Sequence, residues 1–396
     1  DAVVERYALA EGRDCPGLSL YLPLDEATLE VRAHETRVET VPITANLRHD
    51  QLDDVITEAS LEGRAPAAYP FATELAFLLR LARRLKARRE QVRGKPELFT
   101  RPDFSFRLLD REGQPGGNGA DGAPDGSERI EITQRKRGAP LDLIVSEVMI
   151  LANSTWGGWL AELGVPGIYR SQASLAPGNK VRMGTRPAPH AGMGVAQYTW
   201  ATSPLRRYVD LVNQWQLIAC ARHGRTAALA APFKPKDAQL LSVVSAFEAA
   251  HAAYQDFQHA IERYWALRWM QQEGIKQFDA TVMKEGLVRA NAAPLVLHVP
   301  GCEMLPRGAQ VRLRLTAIDL LTLDMHAQLV ARIDDSTLAA AAATTAADDD
   351  GEDDGQAAIG APLALAIDIA DADADATSSG AAPAGAAPAS AAPAAP

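Results

Sequence analysis

The sequence predicts an α+β protein whose last folded part is a small five-stranded β-barrel. Three observations carry this. Alternating apolar and polar residues occupy 17–43 and return at 276–333. Between them lie long stretches with helical spacing. In 276–333, Gly and Pro turns cut the chain into short strands, a length and strand count that fit the oligonucleotide-binding type of barrel.

The elements follow in order. GLSLYLPLDEATLEVRAHETRVETVPI alternates around the Asp25-Glu26 turn and reads as antiparallel strands; NLRHDQLDDVITEA is a loop entering a helix. Residues 71–93 form a basic amphipathic helix, with Leu75, Leu78, Leu79, Ala82 and Leu85 on one side and Arg80, Arg83, Arg84, Lys86, Arg88 and Arg89 around the rest. A solvated outer face is the commoner explanation for such a run, a phosphate-tracking surface the sharper one. FSFRLLDREG is a strand. The glycine-rich stretch 113–126 has no strand before a GxGxxG and no GK[ST], so it reads as a surface loop and not a phosphate cradle. ERIEITQRKRG is the next strand. Residues 141–163 make a helix apolar on most of its circumference, in which Glu147 and Asn153 are polar exceptions that need partners or a use. Residues 235–273 supply a long helix or helix pair, with Phe247, Tyr254, Ile261 and Tyr264 read as core. The divisions are 1–275, 276–334 for the barrel, and 335–396 for a tail.

YTWATSPLRRYVD (198–210) raises an electrostatic question. Thr202 or Ser203 suits an N-cap and Pro204 the first helical position, which places Arg206 and Arg207 in the first turn of a helix, at its positive end. Exposed cations there cost roughly 0.3–1 kcal/mol, and an anion bound to the same N–H groups reverses the sign. Two local readings stand with about equal weight: a bound phosphate or carboxylate, or an ordinary surface ion pair with Asp210.

Net charge is −10, but residues 336–396 hold nine Asp, Glu352 and no Lys or Arg, so 1–335 is neutral overall and can still carry basic patches. The tail, acidic and then Ala/Pro-rich, reads as disordered, with too few large apolar groups to offset ordering, and as a place where protein partners could dock. Its aspartates lack calcium-loop spacing. Cys15, Cys220 and Cys302 have no metal-type spacing and fit a reducing compartment, with the cytoplasm as the default. No apolar run reaches the roughly 18–20 residues of a membrane-spanning helix.

SEVMILANSTWGGWLAELGVPGIYRSQ, YTWATSPLRRYVDLV and the terminal barrel, in this order, resemble the RNB family, the RNase II-like 3′→5′ exoribonucleases whose last domain is an S1 barrel. The match runs from residue 1 to about 333, and TSPxRRYxD with an E-x-M-x-x-A-N helix about 55 residues earlier is its specific part. The resemblance implies a mixed sheet with packed helices ahead of the barrel, and hydrolysis of single-stranded RNA to nucleoside 5′-monophosphates by a monomer. It implies that Arg206 grips the phosphate being cleaved, its fork suiting bidentate phosphate binding. Arg207, Tyr208 and Asp210, with Thr202 and Ser203, position the site. Glu147 matches a glutamate on the ribose 2′-hydroxyl. His49 stands where the family can have a tyrosine sharing that task, and Phe106 matches an aromatic that stacks on the terminal base, against the alternative of a core phenylalanine.

The family's magnesium is held by an aspartate cluster of the form D-x5-D-x-DD, upstream of the strands that open this chain, and the sequence shows no such cluster outside the tail. The chain accordingly reads as the C-terminal part of a longer enzyme with little hydrolytic activity of its own. The competing expectation is a non-catalytic single-stranded RNA-binding module.

Overall fold

The computed structural model describes residues 2–48, 52–97, 103–119, 122–135, 138–176 and 179–333. After a short helix α1 (Ala2–Tyr7), strands β1 (Asp14–Tyr21) and β2 (Glu35–Pro42) pair antiparallel, Cys15 opposite Val41 and Tyr21 opposite Glu35. The single turn α2 (Glu58–Leu61) precedes α3 (Ala72–Arg93). β3 (Asp103–Leu109) and β4 (Arg129–Arg135) form a second hairpin, α4 spans Pro140–Glu162, and β5 (Tyr169–Ser171) pairs with β6 (Arg182–Gly184). Then come α5 (Tyr208–His223), the turn α6 (Ala227–Ala230) and α7 (Ala238–Gln272). The last strands are β7 (Gln277–Val282), β8 (Leu287–Ala290), β9 (Val296–His298), β10 (Gln310–Asp319) and β11 (Asp324–Arg332).

The α+β class is as the sequence predicts. Before the barrel segment, however, the described strands form separate antiparallel hairpins, with one parallel bridge between Gln172 and His190, and not a single mixed sheet. β7–β11 form an antiparallel sheet in the order β11-β10-β7-β8-β9, an order consistent with an oligonucleotide-binding type of fold. Its register shifts twice between β10 and β11, at Arg312/Leu313 and Leu315/Ala317, the kind of bulge that bends a strand.

Four apolar clusters hold these pieces. Leu75, Leu79 and Ala82 of α3 meet Leu141 and Ile144 of α4; each fully buried leucine contributes roughly 1.5–3 kcal/mol. α4 in turn packs through Ile150 on Trp200, Val209, Val212, Leu240 and Val244, and through Trp156 and Leu160 on Leu217 and Cys220. The sheet's own core, Val282, Val288, Leu295, Val311 and Leu313, takes in Ala266, Leu267 and Met270 from the end of α7. The side chain of Gln272 on α7 donates to the Ile130 carbonyl and accepts its N–H, fastening β4 to that end.

α7 is one continuous helix of 35 residues, not a pair. Of its expected core residues, Phe247 packs inward and Tyr264 is half-buried, but Tyr254 is 42% and Ile261 36% exposed. The glycine-rich loop is folded around an acceptor of its own. The Glu128 carboxylate takes the N–H groups of Asn118, Asp125 and Gly126, which hold it down to about 2, so those donors do not await a phosphate. No helix among the described residues is long and apolar enough to cross a membrane.

Candidate functional site

Two buried amides, one on α4 and one on α5, shape the motif at 198–210. Asn153 accepts from the Ala201 N–H, donates to the Tyr198 hydroxyl and the Thr202 Oγ1, and its backbone carbonyl accepts from the Thr199 hydroxyl. Asn213 on α5 accepts from Ile168 N–H at 2.7 Å and donates to the carbonyls of Ile168 and Trp200. Both asparagines are fully buried, and they satisfy backbone groups that flank the single antiparallel bridge between Tyr169 and Thr199.

The chain then turns before it becomes helical. The Ser203 carbonyl accepts the N–H groups of both Arg206 and Arg207, and α5 starts only at Tyr208. The expected N-cap at Thr202 or Ser203 is therefore not found. Arg207 is the N-cap residue, with extended backbone and no side-chain cap bond. The reason is that Asp210, in the first turn of α5, reaches back: its Oδ1 accepts from Ser203 N–H at 2.8 Å, and the same carboxylate takes Arg207 through Nε–Oδ2 and Nη2–Oδ1 bonds of 2.7 Å each.

This separates the two arginines. Arg207 is 3% exposed and Asp210 fully buried, so their ion pair is an interior one and not the surface pair weighed above. Burial pushes the Asp210 carboxyl up, against the pull of Arg207 and the Ser203 N–H. The Arg207 guanidinium lies 4.0 Å from the Trp200 ring centroid, and that of Arg170 lies 4.2 Å from the same ring. Arg207 Nη1 is buried with no hydrogen-bond partner among the described residues. Arg206, by contrast, is exposed, one position before the cap, its Nη2 on the Ser203 hydroxyl at 3.2 Å. Partial burial and the neighbouring Arg207 charge lower its pKa. Two guanidiniums and one carboxylate thus sit inside, and a third guanidinium sits at the surface beside them, all at the positive end of α5.

Glu147 belongs to a second network. It is 1% exposed, and both its oxygens are taken by Arg89 of α3. Arg89 also donates to the Met193 carbonyl at 2.8 Å and to Glu97 at 2.9 Å. Burial lowers the Arg89 pKa, but Glu147 and Glu97 more than offset it and the net shift is upward. The Glu147 carboxyl is raised by burial against Arg89. Gly194 makes the close passage possible: at φ +65°, an added Cβ would come within 2.3 Å of the Arg89 carbonyl. His190 lies between the two networks, within electrostatic reach of Arg170 and Arg89, and burial followed by those charges pushes it down to about 3.

Among the other expected residues, Thr202 and Ser203 are half-buried, and Tyr208 is 49% exposed with its ring edge-on to Trp215 at 6.1 Å. Phe106 packs half-buried against the core of the barrel sheet, the alternative noted for it. His49 lies outside the described residues. The structure therefore brings together Thr202, Ser203, Arg206, Arg207 and Asp210, with Tyr208 on the outside of the same turn. Glu147 lies six residues from Asn153 on α4 but is held by Arg89. A depression of about 460 Å³ lined by Tyr169, Thr185, Arg186, Lys236 and Leu241 contains none of these residues.

Residues 1–180 and 174–223 match the family model of the RNB domain. The chain belongs to the RNB domain family. Among curated proteins, it is 25% identical over 289 residues to an uncharacterized ribonuclease of Synechocystis sp., covering 66% of this chain and 37% of that protein. It is 30% identical over 107 residues to the mitochondrial exoribonuclease II of Saccharomyces cerevisiae, covering 19% of this chain and 11% of that one. It thus spans less than half the length of these relatives. Among solved structures, an active-site mutant of the Dss1 exoribonuclease from Candida glabrata superposes with a TM-score of 0.58 at 20% identity, over 82% of this chain and 44% of that one. Mycoplasma genitalium RNase R in complex with ribose-methylated single-stranded RNA gives a TM-score of 0.60 at 13% identity, over 81% and 59%. At these identities the likeness is one of fold.

The family match ends at residue 223, the last residue of α5. His251 of α7, beyond that match, lies within electrostatic reach of Arg170 and Arg207. It stacks on Phe247 with ring centroids 5.2 Å apart, and burial followed by the charges of Arg170 and Arg207 pushes it down to about 4. Sequence reasoning missed His251, Arg170, Trp200, Asn213 and Arg89. Only Asn213 and Arg89 carry a local signal, as polar residues on the apolar faces of their helices.

Proposed function

We propose that this chain is the phosphate- and sugar-holding part of a 3′→5′ exoribonuclease that hydrolyses single-stranded RNA to nucleoside 5′-monophosphates. The observation that carries the reading is the division of labour in LRRYVD. Arg207 is committed to Asp210 inside the protein, which leaves Arg206 as the exposed guanidinium at the positive end of α5, where a phosphodiester would bind. The fork of Arg206 takes two phosphate oxygens, and its charge opposes the negative charge that develops as the phosphate is attacked. Arg207, Asp210 and Asn153 fix the turn from which it projects.

Glu147 acts one step back in this reading. With both oxygens on Arg89, it orients that region and needs a change of partner to touch a ribose. Magnesium is the expected metal. Among the described residues no three His, Cys, Asp or Glu side chains come together in a way that could hold an ion. In this reading its ligands lie outside the described residues, and RNA is the chain's partner in both the enzymatic and the binding-only reading.

The test is Arg206→Ala in the complete protein with magnesium, on 5′-labelled single-stranded RNA. Turnover should fall about 10²-fold or more while RNA affinity changes less than tenfold, since the contact tightens in the transition state. Equal losses of affinity and turnover would remove Arg206 from this role. For residues 1–396 by themselves, RNA binding without shortening of the label is expected.

A further inference from the structure

Helix α3 turns two different faces to its surroundings. Leu75, Leu79, Ala82, Arg89 and Arg93 are buried, while Arg80, Arg84 and Arg88 are exposed. Four-residue spacing sets these three in a row, each step about 6 Å along the axis. From Leu75 to Arg89 the helix carries no Asp or Glu, so none of them has an acidic partner one turn away on that stretch. The neighbouring Arg83, by contrast, is engaged by two carboxylates, Glu58 and Glu62. Arg84 and Arg88 make no ion pair with any described residue, and Arg80 lies over the half-buried Phe77 ring at 5.6 Å. Like charges at this spacing repel by about 0.2–0.5 kcal/mol per pair, and an anion laid along the row reverses that sign.

We propose that Arg80, Arg84 and Arg88 form a binding surface for the phosphate backbone of single-stranded RNA, distinct from the Arg206 site. The proposal rests on the exoribonuclease reading. RNA fits the row better than an acidic peptide for two reasons. All three cations are arginines, whose planar forks match phosphate oxygens, and the step of the row is commensurate with successive phosphates of an extended strand. Phe77 adds a ring beside the row on which a base can stack. The opposite side of the same helix holds Glu147 through Arg89, so an RNA lying on the row is carried by an element that packs directly on α4, the helix supporting the TSPLRRY turn.

The experiment uses the complete protein and the triple variant Arg80→Gln/Arg84→Gln/Arg88→Gln, with fluorescence anisotropy on a long and a short labelled oligouridylate across a salt series. On the long RNA, the slope of log K against log salt should become less negative by about 2, at roughly 0.7 per phosphate contact on a single strand. Affinity at low salt should fall at least tenfold, with turnover of the short RNA and the melting temperature unchanged. An unchanged slope, with wild-type binding intact, overturns this proposal alone. No RNA binding by the wild type overturns it together with the exoribonuclease reading. If removing residues 336–396 raises RNA affinity only when the three arginines are present, the row belongs to the acidic tail, and RNA is overturned as its ligand.

Discussion

At the scale of single residues, Asp210 decides what the two arginines of the motif become. Its carboxylate closes the turn through Ser203 N–H and neutralises Arg207 in a space from which water is excluded. Removing one partner of such a pair leaves the other charge buried and uncompensated, which typically costs 3–5 kcal/mol. Asp210→Ala should therefore lower the unfolding free energy by about that amount in urea titration, and Arg207→Ala by a similar amount, with the Trp200 stacking lost as well. The double variant Asp210→Ala/Arg207→Met should recover part of the loss. If both single variants unfold like the wild type, the pair is not the internal tie described here. Arg206→Ala should differ in kind: exposed at the positive end of a helix, it should cost less than about 1 kcal/mol of stability and act mainly on turnover.

At the scale of elements, α7 brings His251 against the cationic cluster. The group is neutral when folded, with its pKa pushed from 6.5 to about 4, and takes up a proton in the unfolded chain at the ordinary value. The unfolded state therefore binds more protons between those values, so stability is intact above pH 6.5 and falls as pH drops through the window to about 4. His190, pushed to about 3, extends the loss lower. His251→Gln should flatten the fall between pH 6.5 and 4 in a series of melting curves, by on the order of 3 kcal/mol at most. An identical slope in the variant would mean that the ring is solvated.

Much of this level was legible in the sequence. The α3, α4 and α7 segments follow from periodicity, and Asn153 stood out as a polar exception on α4. Arg89 was set with the solvated arginines, and the structure corrects this: Leu75, Leu79, Ala82, Arg89 and Arg93 lie on one buried helical face, a continuation that the crowd of arginines hid. The start of α5 was not. Pro204 serves a tight turn as well as a first helical position, and only the reach of Asp210 back to Ser203 chooses between them. The meeting of Arg170 with Arg207 on Trp200 joins residues about 30 apart with no shared period, so no local pattern announces it.

At the scale of the whole molecule, the division at 275/276 separates strands from helix but not one core from another. Ala266, Leu267 and Met270 of α7 are buried with Val282, Leu295, Val311 and Leu313, and Phe106 and Ile132 of the β3–β4 hairpin pack on the same cluster. A five-stranded sheet of this size exposes one side of its core once that helix end is cut away, and a domain so small has little stability to spare. Residues 276–333 alone should therefore show no cooperative thermal transition by circular dichroism, whereas a fragment that also includes the last turns of α7 should melt cooperatively. In the intact chain, Leu267→Ala should destabilise by about 2–5 kcal/mol, the range for opening a cavity at a fully buried leucine. It should lower the melting of α7 and of the sheet together, because the leucine belongs to both. A cooperative transition in 276–333 alone would make the barrel an independent unit, and the contact with α7 a docking surface between two finished cores.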